Sequence, residues 1–408
     1  MNIFKGKPTV LTDEAAVLEV LSRGVENVFP NVESVKSFLR KGKQLTLYVG
    51  VDPTGPTLHL GHVIPLRKIA AFQKLGHKVI FLIGDFTAMI GDPTDKGAAR
   101  KQLTRAEVMK NCKRYKSQAS RFIDFTGPNA AEMKFNSKWL APMSFSEVVE
   151  LASHVTVEQM AKRDMFVKRT AEGKPVFLHE FLYPLMQGYD SVAMDVDGEV
   201  GGNDQTFNML AGRDLSKVLS GKDKFVVATR LLVDSSGKKM GKTEGNMVNL
   251  DQTPPDMFGK VMSWPDELIA AGFELLTDVP MAEIDSVKKQ MADGSNPRDF
   301  KANLAEEIVA TIHGKEKAAA ARQSFSSTFK EGAVPADAPK VSVKAGDKLV
   351  DMLLAAKIIA SKAEFRRLID GKAISYVGGE AIIDYECKLD RSGTIRVGKK
   401  RFVTIDLK

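Results

Sequence analysis

Residues 44–83 read QLTLYVGVDPTGPTLHLGHVIPLRKIAAFQKLGHKVIFLI. Over Gln44–Val51, the residues Leu45, Leu47, Val49 and Val51 alternate against Thr46, Tyr48 and Gly50, the period of a strand. A loop, Asp52–Pro56, leads into a helix expected from about Leu60 to Leu75, which Gly76 ends. Lys78–Ile83 is almost wholly apolar, as a strand covered on both faces must be. Strand, helix and strand within about forty residues make a βαβ unit, hence a parallel sheet with a right-handed crossover. The fold class is therefore α/β, and a ligand should be met in a crevice at the carboxyl ends of the strands.

Outward from this core, Arg105–Phe122 is basic and reads as helix, Phe145–Thr170 as one or two amphipathic helices, and Phe181–Met194 as another. Residues of about 105–190 are thus expected as a helical insertion in a catalytic domain spanning 1–250. A strand expected at Phe225–Val233 runs into the polar loop Asp234–Asn246. Beyond Pro254 and Pro255 the pattern is helical to about Lys330, which gives a helical domain over 251–332. Gly332, Pro335 and Pro339 mark a linker at 333–346. Residues 347–408 form a small α+β tail, two short helices and then strands near Ala373–Val377 and Phe402–Leu407. No internal repeat is visible.

The 408 residues fit two to four domains, and 43% hydrophobic with 27% charged residues excludes a disordered or collagen-like chain. No run of about 18 uncharged apolar residues occurs, and the first ten residues lack the apolar core of a signal peptide. Cys112 and Cys387 stand too far apart for a disulfide framework or a cysteine-based zinc site, and fit a reducing compartment. The expectation is a soluble, cytoplasmic protein with no membrane partner. Net charge is +8, and between 341 and 408 there are 14 basic and 9 acidic residues, so five of the eight net charges lie in the tail. That stretch is either a polyanion-binding module or a solvated basic face.

Two motifs carry chemistry. His59-Leu60-Gly61-His62 falls at the start of the crossover helix, where imidazole N–H groups and the positive helix end can hold an anion and Gly61 opens the backbone to a ligand. Half a metal site or two surface histidines are the alternatives. With six histidines in the chain and no further ligand at metal spacing, no metal is expected. Lys238-Lys239-Met240-Gly241-Lys242-Thr243 nearly matches a phosphate-binding P-loop, but only three residues separate Gly237 from Gly241 and Glu244-Gly245-Asn246 breaks the helix that should follow. What remains is a loop of ammonium groups suited to a polyphosphate. Tyr183, Gln187 and Asp190 form a polar stripe at i, i+4 and i+7 on an otherwise apolar helix, either exposed or turned inward onto a ligand, and Tyr48 lies near the carboxyl end of the first strand.

Together the two motifs resemble the paired signatures of class I aminoacyl-tRNA synthetases, a His-x-Gly-His element and a Lys-Met-Ser-Lys-Ser loop that bracket ATP. Here the loop carries Gly241 in place of the usual serine. Tyr48-Val49-Gly50-Val51-Asp52-Pro53-Thr54, Gly91-Asp92-Pro93, Tyr183…Gln187-Gly188-Tyr189-Asp190 and Gly201-Gly202-Asn203-Asp204-Gln205 are similar to bacterial-type tyrosyl-tRNA synthetases, and the tail to an S4-type RNA-binding domain. The resemblance implies a Rossmann-like catalytic domain, a helical domain and an S4-like domain. It also implies activation of L-tyrosine by ATP, with Mg²⁺, followed by transfer to tRNA(Tyr) by a homodimer.

By the same resemblance Tyr48 and Asp190 grip the phenol hydroxyl, and Tyr183, Gln187 and Asp92 hold the ammonium group. Gly50, Asp52, Gly61, Asn136, Gly202, Asp204, Gln205 and Met240 line the ATP and adenylate pocket. His59 and His62 meet the phosphates near the reacting centre. Lys239, Lys242 and Thr243, with Lys96 and Arg100, hold the departing pyrophosphate, and Lys362, Arg366 and Arg367 contact RNA. Asp95 stands where the family usually has glycine, and Thr206 where many members have tryptophan. Tryptophan is the rival substrate, since an indole N–H also satisfies Asp190 but leaves Tyr48 without an acceptor. Two other classes remain open: a different His-x-Gly-His nucleotidyltransferase, and a synthetase-derived RNA-binding protein without activity.

Overall fold

Strand β2 (Thr46–Val51) takes the centre of a six-stranded sheet, with Leu47, Tyr48, Val49 and Val51 all buried. The structure, a computed structural model, describes residues 9–92, 102–233, 247–330, 338–377, 379–398 and 401–407. Around β2 stand β1 (Val25–Phe29), β3 (Lys78–Ile83), β4 (Glu132–Phe135), β5 (Gly198–Gly202) and β6 (Phe225–Thr229), in the order β1-β6-β5-β2-β3-β4. β2 to β6 are parallel, and β1 closes one edge antiparallel to β6. The chain leaves β2 towards β3 and β4, then returns across it to β5 and β6. The strand order therefore reverses between β2 and β5, and the crevice of a doubly wound sheet opens at their carboxyl ends.

The expected α/β class and βαβ unit are present. The crossover helix Leu60–Lys74 lays Val63, Ile64, Leu66, Ile69, Ala70 and Phe72 into the core. Pro65 sits at its sixth position, beyond the turn in which a missing N–H has no consequence, so Gly61 loses a helical donor for its carbonyl. Short helices outside the sheet begin where the sequence writes a capping box, as at Thr104 with Glu107, Ser144 with Glu147 and Thr156 with Gln159.

The helical insertion expected at about 105–190 is not wholly helical, because β4 lies within it and extends the sheet beside β3. Its four half-buried residues are too few to display an alternation. Phe145–Thr170 resolves into three helices, Phe145–Ala152, Val157–Ala161 and Asp164–Ala171. The strand expected to reach Val233 ends at Thr229.

The chain divides into two units, Met1–Gly314 and Lys315–Lys408, so the helices between Pro254 and His313 belong with the sheet. In the second unit β7 (Lys340–Val343), β10 (Arg401–Leu407), β9 (Gly393–Val397) and β8 (Ile374–Tyr376) form a four-stranded sheet in that order. The helices Leu349–Ala355 and Lys362–Asp370 supply Leu349, Met352, Leu353, Phe365 and Ile369 to its core. β7 and β9 were not legible as strands. Among the described residues no helix is long and apolar enough to cross a membrane.

Candidate active site

The floor of the crevice is built of polar side chains that the fold has taken out of water. Tyr48, on β2, is 1% exposed, and Asp190, on the helix Leu178–Ala193, is 3% exposed. The Asp190 carboxylate accepts from Trp139 Nε1 at 2.7 Å and Asn136 Nδ2 at 3.3 Å. Tyr48 Oη lies 3.0 Å from Ser191 Oγ, the residue after Asp190. Burial, then the charges of Glu199 and Asp190, push the Tyr48 phenol well above its ordinary value, so it keeps its proton. Burial also drives Asp190 up, while its bonds from Trp139 and Asn136 pull it back. A phenol placed here meets a donor and an acceptor together.

Beside this floor Tyr183 Oη donates to Asp52 Oδ2 at 2.8 Å, and Thr87 Oγ1 donates to the other Asp52 oxygen at 2.7 Å. Gly84 is required for that packing, because a Cβ there would lie 1.9 Å from Asp52 Oδ1. Gln187 Nε2 donates to Glu199 Oε1 at 3.3 Å. Gln205 Nε2 donates to Asp92 Oδ2 at 2.7 Å, and Gln205 Oε1 accepts from Asn208 Nδ2 at 2.9 Å. Asn208 in turn accepts from buried Arg163, whose guanidinium lies against the Phe207 ring.

The His-x-Gly-His element caps the crossover helix. Gly61 N–H donates to His59 Nδ1 at 3.1 Å, and His59 N–H donates to His62 Nδ1 at 3.2 Å. Each ring thus turns Nδ1 to the backbone and carries its proton on Nε2. Desolvation, then the neighbouring His59 ring, hold His62 well below the ordinary imidazole range. With Nδ1 accepting and the charged form disfavoured by burial, His62 serves as a neutral N–H donor. The chain after the Lys-Met-Gly-Lys segment is pinned here too: Leu60 N–H donates to Val248 O at 3.0 Å, and Leu250 N–H to Leu58 O at 2.9 Å.

Asp52, Tyr183, Asn136 and Asp190 are thus joined through Thr87, Tyr48 and Gln187 are joined through Ser191, Lys224 and Glu199, and Gln205 is bonded to Asp92. Asn136, expected at the adenylate pocket, donates to Asp190, and Gln205 reaches Asp92. Gly50 and Gly202 lie on β2 and β5, and Asp204 in the short turn after β5. Lys96, Arg100, Lys239, Met240, Lys242 and Thr243 lie outside the described residues. Lys362, Arg366 and Arg367 are exposed on one helix of the second unit. Sequence reasoning missed Thr87, Trp139, Ser191, Glu199 and Lys224. Only Ser191 carried a signal, its place beside Asp190. Among the described residues no cluster of three or more His, Cys, Asp or Glu could hold a metal ion.

Residues 40–330 match the model of a family described as tRNA synthetases class I (W and Y), and the chain belongs to that family. It is 44% identical over 404 residues to the tyrosine–tRNA ligase of Carboxydothermus hydrogenoformans, across 95% of this chain and 97% of that one. Tyrosine–tRNA ligase 2 of Vibrio cholerae is 42% identical over 398 residues, covering 97% and 99%. A C-terminally truncated mitochondrial tyrosyl-tRNA synthetase from Coccidioides posadasii superposes with a TM-score of 0.61 at 26% identity, covering 76% of this chain and 92% of that one. Within the family the chain is thus one of the tyrosyl-tRNA synthetases.

Proposed function

We propose that this chain is a tyrosine–tRNA ligase of the bacterial type. The tyrosine carboxylate attacks the α-phosphorus of ATP, pyrophosphate leaves, and the terminal ribose hydroxyl of tRNA(Tyr) then takes the tyrosyl group with release of AMP. The observation that carries this reading is the burial of a phenol, Tyr48, and a carboxyl group, Asp190, together at the strand-order switch point, near enough for the charge of one to act on the other. Tyr48 donates to the substrate phenol oxygen and Asp190 accepts its proton. Tyr183, Gln187 and Asp92 hold the ammonium group, while Asp52, Asp204 and Gln205 face the adenylate.

No side chain acts as a nucleophile, so the rate comes from positioning and from charge stabilisation. His59 and His62 present Nε2–H donors to the phosphates at the helix N-terminus. Lys239, Lys242 and Thr243, with Lys96 and Arg100, meet the departing pyrophosphate. The anchoring of Val248 beside His59 supports a meeting of the two motifs, since Val248 follows Thr243 by five residues. Mg²⁺ arrives on ATP, without a protein cage of its own.

The second unit serves as an S4-like tRNA module, supported by exposed Lys362, Arg366 and Arg367. A homodimer is supported by Phe145, Val157 and Leu178, which are 83%, 73% and 77% exposed in the helical segment beside the sheet. The enzyme works in the cytoplasm.

ATP–pyrophosphate exchange measured with each of the twenty amino acids tests the assignment. Exchange is expected with tyrosine, strongly preferred over phenylalanine and tryptophan. Preference for tryptophan, or exchange with none, overturns it.

A further inference from the structure

Behind Tyr48 lies a buried ammonium group with no part in the chemistry described so far. Lys224, immediately before β6, has a fully buried side chain, and its Nζ is enclosed by three acceptors. It donates to Ser191 Oγ at 2.6 Å and to Met209 O at 3.3 Å, and it pairs closely with Glu199 Oε2. Three protons meet three acceptors, so the group is saturated. Glu199 is the sheet neighbour of Tyr48, paired with it in register across β5 and β2, and its other oxygen accepts from Gln187. The ammonium group also lies 5.6 Å from the centre of the Tyr48 ring.

The main chain is shaped to admit this group. The helices Leu178–Ala193 and Thr206–Ser220 approach so closely that a Cβ on Gly188 would lie 3.1 Å from Gly212 N. A Cβ on Gly212 would sit 2.7 Å from Lys224 Nζ and 2.8 Å from Ser191 Oγ. Glycine at 212 thus leaves the slot through which the lysine reaches the serine.

The geometry sets a direction. Ser191 Oγ accepts a proton from Lys224, and it has one proton of its own to give. Among the described residues the acceptor within its reach is Tyr48 Oη, 3.0 Å away. Were Tyr48 to donate to Ser191 instead, the serine proton would be buried with no acceptor, a costly arrangement. With Ser191 donating, the Tyr48 proton turns away from the serine, towards the crevice or the neighbouring Glu199 carboxylate.

We propose that Lys224, acting through Ser191, fixes the Tyr48 hydroxyl as a donor towards the ligand and is thereby a positioning residue for recognition of a phenol. The proposal rests on the crevice being a tyrosine site. Phenol oxygen needs an oriented donor, whereas a phenylalanine ring makes no use of it. The relay therefore acts on the choice between the two substrates.

The test measures kcat/KM in pyrophosphate exchange for tyrosine and for phenylalanine in the full-length chain. Wild-type chain without tyrosine exchange refutes the parent assignment before any variant is made. In Ser191→Ala, kcat/KM for tyrosine is expected to fall about tenfold, mainly through KM, while that for phenylalanine stays within about twofold. Removing Lys224 alone would strand the Glu199 charge. The companion variant is therefore Lys224→Met with Glu199→Gln, checked for a wild-type circular dichroism spectrum, and it should show the same selective loss. Equal losses for both substrates in Ser191→Ala, or no loss for either, overturn the proposal. So does full tyrosine preference in the folded double variant. If the double variant does not fold, Ser191→Ala decides alone.

Discussion

The floor of the crevice and the core of the second unit are both dry, yet they are built from opposite materials. Val343, Leu349, Leu353, Phe365, Ile395, Val403 and Ile405 form a core of the second unit in which all the side chains are apolar, and Ser375 is the one buried polar residue among that unit's described residues. Beneath the crevice lie Asn136, Asp190, Ser191, Glu199 and Lys224, each nearly solvent-free and each hydrogen-bonded. Burying such groups costs stability unless every one is partnered, and well-packed hydrophobic residues would do as well or better for the fold alone. Polarity kept inside at that cost is a record of ligand recognition. Among its described residues the second unit buries nothing comparable, and Lys362, Arg366 and Arg367 lie exposed on its surface.

The sharpest way to break this comparison is at Asp190. Replacing it with asparagine keeps the shape and removes the carboxyl group proposed to accept from the substrate phenol. Tyrosine activation should drop about 10–100-fold in kcat/KM, the range set by losing one hydrogen bond to a charged group. Preference over phenylalanine should narrow with it. A variant with wild-type efficiency and preference would mean that the buried carboxyl serves the fold alone.

The second unit is tested from outside. Reversing Lys362, Arg366 and Arg367 to glutamate together should reduce tRNA charging about tenfold or more at moderate salt. The logarithmic salt dependence should flatten by roughly two to three units, one for each phosphate that is no longer neutralised. Pyrophosphate exchange should not change. Equal damage to exchange and charging would make this helix structural.

What the sequence disclosed follows from which interactions are local. The βαβ unit and the Tyr183–Gln187–Asp190 stripe repeat at the period of their own elements, so a single stretch displays them. The Glu199–Tyr48 neighbourhood depends on strand register, which neither stretch contains. β5 itself reads Gly-Glu-Val-Gly-Gly, and three glycines in five residues hide a strand from any propensity argument. Trp139 and Asn136 reach Asp190 only because β4 delivers them, and β4 was too short to see. Lys224 looks like any surface lysine until β6 and the Gly188–Gly212 crossing close around it.

His77 supplies the control for the comparison, because it is buried and polar but sits at the opposite end of the strands. Its Nδ1 accepts from Leu45 N–H at 3.3 Å, just before β2, its Nε2 has no partner, and its ring lies 6.3 Å from that of Phe72. Burial lowers its pKa to about 4, although Asp197 works against the fall. In the unfolded chain an imidazole titrates near 6.5, so between about 4 and 6.5 the unfolded state binds more protons than the folded one. The contribution of neutral His77 is then fully present above 6.5 and is lost as pH falls towards 4. Urea midpoints measured at pH 7.5 and pH 5 should fall further in the wild type than in His77→Gln. Tyrosine activation at pH 7.5 should be the same in both. Were the two midpoints to move in parallel, His77 would not be the buried neutral group that the packing requires. Were the variant instead to lose tyrosine activation, polar burial far from the crevice would also carry function, and the contrast between the two cores would no longer locate it.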